Sequence, residues 1–169
     1  MKDMDRLGVR AKILAGTAIA LVTLSIAAPT KADNSNVRWR TIVGILQAGN
    51  MVGNIGGGGQ PWTALGGRAR VDLAKSRLDF DVQGLVLAGG NTIGTPDAIT
   101  QVMGTLVCGA GTLNIAIDTP LVPLSPQGDA DFSGPIGPIP TTCSETNVVF
   151  LIRIAAGRWI ANGAVRNTP

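Results

Sequence analysis

The chain has 169 residues, 45% of them hydrophobic, and a formal net charge of +3 with no histidine and no tyrosine. Without histidine, Ser-His-Asp and Cys-His catalytic arrangements and histidine-containing zinc sites are excluded. Because the commonest general base at neutral pH is missing, any catalysis would depend on carboxylates, lysines or hydroxyls.

The N-terminal 32 residues show the order of regions that is typical of a secretory signal peptide. A net-basic segment, 1–12, precedes an apolar run over 13–28, and segment 29–32 breaks the helix and ends in a small residue. The apolar run is shorter than the roughly 20 residues that a membrane-spanning helix needs. We therefore predict a cleavable helical signal peptide, 1–32, with an uncleaved anchor as the alternative.

Cleavage at this point leaves residues 33–169 as one secreted domain, either extracellular or periplasmic. The excess positive charge lies in 1–32, because 33–169 contains 9 basic and 9 acidic side chains. A neutral domain lacks the basic face on which nucleic-acid binding normally rests. We expect no nucleic-acid partner, no membrane span after cleavage, and a place in the bacterial envelope or the extracellular space.

Short β-rich segments separated by glycine and proline turns follow one another through 33–169, and no helical period appears. This pattern predicts an all-β fold, a single antiparallel β-sandwich of about eight strands, with a β-barrel as the alternative. The first strand is predicted over 37–47. A flexible glycine-rich loop follows over 49–60 and lacks the GK[ST] and helix context of a phosphate-binding loop. Trp62, directly after this loop, is a candidate ligand contact, since an exposed tryptophan stacks on sugar rings or anchors partners.

The most regular alternation lies in 67–73 and 77–87, which we predict to pair as a hairpin. Arg68, Arg70 and Asp72 alternate with apolar residues in the first segment, as Asp79 and Asp81 do in the second. The simplest interpretation is a solvated face of mixed charge.

Further strands are predicted in the C-terminal half, and 148–155 is the most apolar of them and is predicted to be central. The segment 121–124 suits a sheet edge because it contains a proline, and 134–140 is predicted to be irregular. The remaining predicted strands are 99–108, 112–118, 128–133 and 158–166.

The chain contains two cysteines, Cys108 and Cys143. In an exported protein an even number of cysteines indicates a disulfide. The alternative, a redox-active or metal-binding thiol pair, lacks the CxxC spacing.

Asp129 and Asp131 stand two apart beside a glycine, as Asp79 and Asp81 do on the hairpin. Carboxylates on one face are calcium ligands or an acid/base pair for glycoside cleavage, although a soluble strand face alone also explains them. Asp129 and Asp131 are the better candidates for a metal site, and calcium is the only cofactor that we consider.

The sequence therefore predicts a non-catalytic binding or structural module of the extracellular space or cell envelope, with an unknown ligand. We predict no catalytic residues. A carboxylate-based hydrolase acting on carbohydrate and a calcium-stabilised adhesion module remain as alternatives.

Overall fold

The computed structural model describes residues 35–109 and 115–166, which form β-strands and no helix. The all-β class predicted from the sequence is confirmed, whereas the predicted signal peptide lies outside the described residues. Among the residues described, no helix has the length and apolarity to span a bilayer. In chain order the strands are β1 Asn36–Gly44, β2 Met51–Val52, β3 Ile55–Gly56, β4 Trp62–Thr63, β5 Gly66–Asp72, β6 Arg77–Gln83, β7 Val86–Leu87, β8 Gln101–Cys108, β9 Ile115–Asp118, β10 Val122–Pro123, β11 Ala130–Pro135, β12 Val148–Ile154 and β13 Trp159–Arg166.

Nine strands form one antiparallel sheet in the order β10-β8-β12-β13-β1-β5-β6-β11, with β9 also pairing with β8. The short pairs β2-β3 and β4-β7 form two small sheets of their own. Strands β10 and β11 stand at opposite ends of this order yet contact each other. The sheet therefore curls back on itself, which is consistent with the predicted sandwich and with the barrel alternative.

Strands β5 and β6 form the hairpin that the sequence predicts. Arg68 is paired with Asp81 and Arg70 with Asp79 across the two strands. The apolar positions between them are buried, so the hairpin has one buried face and one solvent-exposed face. This register sets the order of charges on the outer face of the sheet.

The core contains an aromatic cluster that joins distant strands. Phe150 on β12 lies 5.8 Å from Trp39 on β1 and 5.5 Å from Phe80 on β6, measured between ring centroids. Gly104 on β8 faces the same cluster, because a Cβ placed there would lie 2.7 Å from Cε1 of Phe80. Strand β8 therefore packs closely over β6 on the inside of the curl, and that close approach needs glycine.

Strand β12 is central, as predicted, with β8 on one side and β13 on the other. Its residue Leu151 pairs with Thr105 of β8, and both are completely buried, as are the neighbouring Phe150 and Leu106. Since consecutive strand residues point to opposite faces, this pair of strands is buried on both faces.

The predicted disulfide is present. Cys108, the last residue of β8, is bonded to Cys143 in the connection between β11 and β12, with 5.2 Å between the Cα atoms. The bond joins the end of a central strand to a long irregular connection. It is compatible with an oxidising compartment such as the extracellular space or periplasm.

The glycine-rich loop 49–60 is more ordered than the sequence suggests, because it contains the β2-β3 hairpin. The indole Nε1 of Trp159 donates to the carbonyl of Asn50 at 2.9 Å, and the amide of Gly58 donates to the carbonyl of Trp159 at 2.8 Å. A Cβ on Gly57 would collide with the side chain of Ile45. The glycines therefore allow this loop to pack closely on the core. The sequence pattern does not reveal this role, because it depends on tertiary contacts.

Candidate functional site

An open groove of about 770 Å³ lies on the face formed by β1, β5, β6 and β11. We call it the charged groove, and the polar side chains in its lining are Arg38, Arg40, Arg68, Arg70, Asp79, Asp81, Asp131 and Ser133. These residues occupy outward positions on four neighbouring antiparallel strands, where every second residue faces solvent. The mixed-charge face inferred from the hairpin sequence is therefore wider than the hairpin and extends over both of its neighbouring strands.

Strand pairing separates the charges of the charged groove into two walls. On the basic side, Arg38 of β1 stands directly opposite Arg70 of β5. On the acidic side, Asp81 of β6 stands directly opposite Asp131 of β11. Side chains in such register lie about 5 Å apart at Cβ, and like charges at that spacing repel. The sheet therefore holds two like-charged pairs at opposite sides of one groove.

The middle of the groove is internally compensated. Nε of Arg68 lies 2.6 Å from Oδ2 of Asp81, and Nη2 of Arg77 lies 3.3 Å from Oδ1 of Asp79. The hydroxyl of Ser133 donates to the same Asp79 oxygen at 2.6 Å. The side chain of Arg68 is 80% exposed, so its ion pair adds little to stability. Its main consequence is to fix the positions of the charged groups.

The arginines of the basic wall differ, because they form no ion pair in the described residues. Asp79 stands opposite Arg70 on β6, but its carboxylate is held by Arg77 and Ser133 instead. Within the described ranges, no carboxylate lies within ion-pair distance of Arg38, Arg40 or Arg70. The guanidinium of Arg70 instead donates from Nε and Nη2 to Oδ1 of Asn36, at 3.2 and 2.9 Å. An amide oxygen orients the guanidinium without neutralising it.

Asp72 ends β5 at the turn of the hairpin, and its carboxylate is tied to the backbone. Its Oδ1 accepts a hydrogen bond from the backbone amide of Lys75 at 3.0 Å, and the ammonium of Lys75 lies 3.3 Å from Oδ2. These contacts, the backbone hydrogen bond first, lower the pKa of Asp72 from its ordinary value of 3.8. These contacts stabilise the turn. Asp72 does not line the charged groove.

The candidate metal ligands Asp129 and Asp131 line one shallow depression of about 760 Å³, together with Asp81. Oδ1 of Asp129 accepts a hydrogen bond from the backbone amide of Gly84 at 2.9 Å. In the part of the chain that is described, no three acidic or cysteine side chains come close enough together to hold a metal ion. Calcium, which takes six to eight oxygen ligands, would need water and backbone carbonyls here, and its binding stays a prediction.

Trp62, the candidate ligand contact, is 4% exposed and belongs to the hydrophobic core. It also lines a small cavity of about 230 Å³ beside Leu87, Ile99 and Ile160. Because the ring is almost fully buried, contact with a ligand stays a prediction. Trp39 and Trp159, the two other tryptophans, are also buried in the core.

Asp131 of β11 was a candidate site residue from the sequence, but the position of β1 and β11 on either side of the hairpin was not predicted. The alternation of Arg38, Trp39 and Arg40 was a usable signal, because it places two arginines on one face of a strand. The neighbours of that strand, however, are set by the order of strands in the sheet. Comparison of the chain with protein-family models, with curated proteins and with solved structures found no match to any of them.

Proposed function

We propose that the protein is an exported, non-catalytic binding module of the extracellular space or cell envelope, and that the charged groove contacts its ligand. The observation that carries this proposal is the ordered set of charged side chains lining the groove across four strands. Side chains on paired strands are held more precisely than side chains on loops, which favours recognition. The disulfide supports the exported location.

Internal contacts favour binding over catalysis. Arg68, Asp79 and Asp81 are already held by ion pairs within the sheet. Fixed, mutually compensated charges suit recognition because little side-chain entropy is lost when a ligand arrives. An acid/base catalyst instead needs carboxyl groups that change protonation state at the reacting bond.

The test is binding of the labelled full chain to isolated envelope and secreted polysaccharide fractions of the native host. Ser133→Trp places a bulky ring on the exposed edge of the charged groove, and Thr63→Trp places the same ring on an exposed strand position outside it. We expect saturable binding that Ser133→Trp abolishes and Thr63→Trp preserves. Binding that survives Ser133→Trp unchanged, or no saturable binding to any fraction, would contradict the proposal.

A carbohydrate hydrolase is the second candidate, because Asp81 and Asp131 stand directly opposite each other in the charged groove. Retaining glycosidases hold two carboxyl groups about 5 Å apart. Asp131→Asn would abolish the release of reducing sugar from a polysaccharide substrate if this candidate is right. Release by the wild-type chain that Asp131→Asn leaves unchanged would exclude this pair as the catalytic groups.

A further inference from the structure

We propose that the basic wall of the charged groove, formed by Arg38, Arg40 and Arg70, binds a multivalent oxyanion. The ligand is a small molecule or a chain end that carries at least two carboxylate or phosphate groups. This inference rests on the proposed function, since it names the ligand chemistry of the same groove.

Two arginines of the basic wall stand side by side without an ion pair to either of them in the described residues. Arg38 and Arg70 occupy directly opposite positions on β1 and β5, an arrangement that costs stability unless an anion screens it. In the described segments no carboxylate comes within ion-pair distance of either residue. An oxyanion bridging the two guanidinium groups would remove the repulsion and gain charge-assisted hydrogen bonds, which are about twice as strong as neutral ones.

The side chain of Arg70 is oriented by Asn36. Oδ1 of Asn36 accepts hydrogen bonds from Nε and Nη2 of Arg70. The side chain of Arg70 is therefore held in one direction, and its positive charge is not neutralised. A guanidinium carries five N–H donors, and in the described residues Nη1 of Arg70 donates to no protein group. Asn36 is thus a positioning residue, and Arg70 presents unused donors.

The spacing of the arginines favours a ligand with more than one anionic group. Arg40 and Arg68 follow one residue beyond the paired positions Trp39 and Ala69, so they extend the Arg38–Arg70 row by a second one. Residues two apart on a strand are about 7 Å apart. A single exposed charge pair contributes little in water, whereas two anionic groups at this spacing engage both rows together.

The acidic wall limits what fits. Asp81 and Asp131 lie across the groove from Arg40, in the same row as Arg68, and repel any anion that extends over β6 and β11. The ligand is therefore confined to the side of β1 and β5. A long polyanion crossing the groove, such as a nucleic acid, would meet like charge, which agrees with the neutral total charge of 33–169.

The test is calorimetric titration of the full chain with two probes, inorganic tripolyphosphate and propane-1,2,3-tricarboxylate. We expect saturable binding of at least one probe, weaker at about 200 mM salt than at about 50 mM, because exposed charges are screened. The probe that binds distinguishes phosphate from carboxylate as the natural group. Arg70→Gln and Arg38→Gln should each weaken binding about tenfold or more.

Arg158→Gln is the matched control, because Arg158 is an exposed arginine that lies outside the charged groove and donates to the carbonyl of Gly57. It should leave affinity unchanged, whereas Asp131→Asn should strengthen binding by removing repulsion. A loss with Arg158→Gln equal to that with Arg70→Gln would mean non-specific attraction and would overturn the inference.

Failure to bind either probe, or binding only of a phosphodiester oligonucleotide, would also overturn the inference. These outcomes leave the proposed function separately testable. If Ser133→Trp abolishes binding of an envelope polysaccharide while Arg38→Gln and Arg70→Gln do not, the groove binds a ligand by other contacts and only the oxyanion inference fails.

Discussion

Two pairs of neighbouring strands in one sheet differ in their exposure to solvent. The β5-β6 hairpin is buried on one face and carries charge on the other. In the β8-β12 pair, residues 104–108 and 150–152 are buried without interruption, so both faces are dry. An antiparallel sheet with one solvated face shows alternating polarity, whereas a strand covered on both faces shows a continuous apolar run.

The difference assigns separate tasks to the two regions. The β8-β12 pair is buried on both faces over residues 104–108 and 150–152, and it carries the disulfide at Cys108. The β5-β6 hairpin contributes less to the interior but presents Arg68, Arg70, Asp79 and Asp81 to solvent. Substitutions in the first region should therefore change stability, and substitutions in the second should change binding.

We expect the largest effect from removal of the disulfide at the end of the buried β8-β12 pair. The double variant Cys108→Ala with Cys143→Ala opens a loop with a sequence separation of 35 residues. We expect it to lower the free energy of unfolding by about 4 kcal/mol, because the denatured chain gains entropy. Urea unfolding measures the change. A loss below about 1 kcal/mol would show that the bond does not constrain the unfolded chain as this model requires.

The next effect compares the two regions directly. Leu151→Ala removes a completely buried side chain from the β8-β12 pair. We expect it to lower the free energy of unfolding by about 3 kcal/mol. Arg70→Ala, on the wet face of the hairpin, should change stability by no more than about 0.5 kcal/mol. Equal losses in urea unfolding would contradict the distinction between the regions.

A third substitution tests how closely the two regions pack inside the curl. Gly104→Ala adds a Cβ at 2.7 Å from Cε1 of Phe80, and we expect overpacking to cost about 1–3 kcal/mol. Gly59→Ala is the control, because nothing lies within 4 Å of a Cβ placed there. A thermal melt that is unchanged by Gly104→Ala would mean that β6 and β8 separate easily.

The smallest effect concerns acid stability of the hairpin turn. The pKa of folded Asp72 lies below its ordinary value of 3.8, so the unfolded chain takes up the proton first as pH falls. The stabilisation from Asp72 is therefore complete above this value and is lost as pH falls through the folded pKa. Asp72→Asn should reduce the fall in urea midpoint between about pH 6 and about pH 2.

Lys75→Ala separates the causes of that pKa shift. It removes the ammonium group but keeps the backbone amide that donates to Asp72, the largest cause of the lowered pKa. Most of the pH dependence should remain in this variant. Its complete loss would assign the effect to the charge of Lys75 instead.

Local pattern was sufficient where a strand is half exposed. The alternation in 67–83 predicted the β5-β6 hairpin and its buried residues, and the apolar run at 148–155 predicted the central strand. Pattern failed for β2, β3 and β4, because these two-residue strands have no period to detect. The predicted strand 77–87 contains β7, but the structure ends β6 at Gln83 and pairs β7 with β4. Only part of the groove was predictable. The sequence indicated that Asp79 and Asp81 point outward from one strand, but it did not show which strands lie beside that strand.

By itself the sequence determined the all-β class, the pairing of the two cysteines and the absence of histidine chemistry, because these follow from composition and short-range periodicity. The tertiary structure decided which strands are neighbours. Placing β1 beside β5 brings Arg38 opposite Arg70, and placing β11 beside β6 brings Asp131 opposite Asp81. Strand order depends on how the whole sheet curls around Phe80, Phe150 and Gly104, and no local segment encodes that contact.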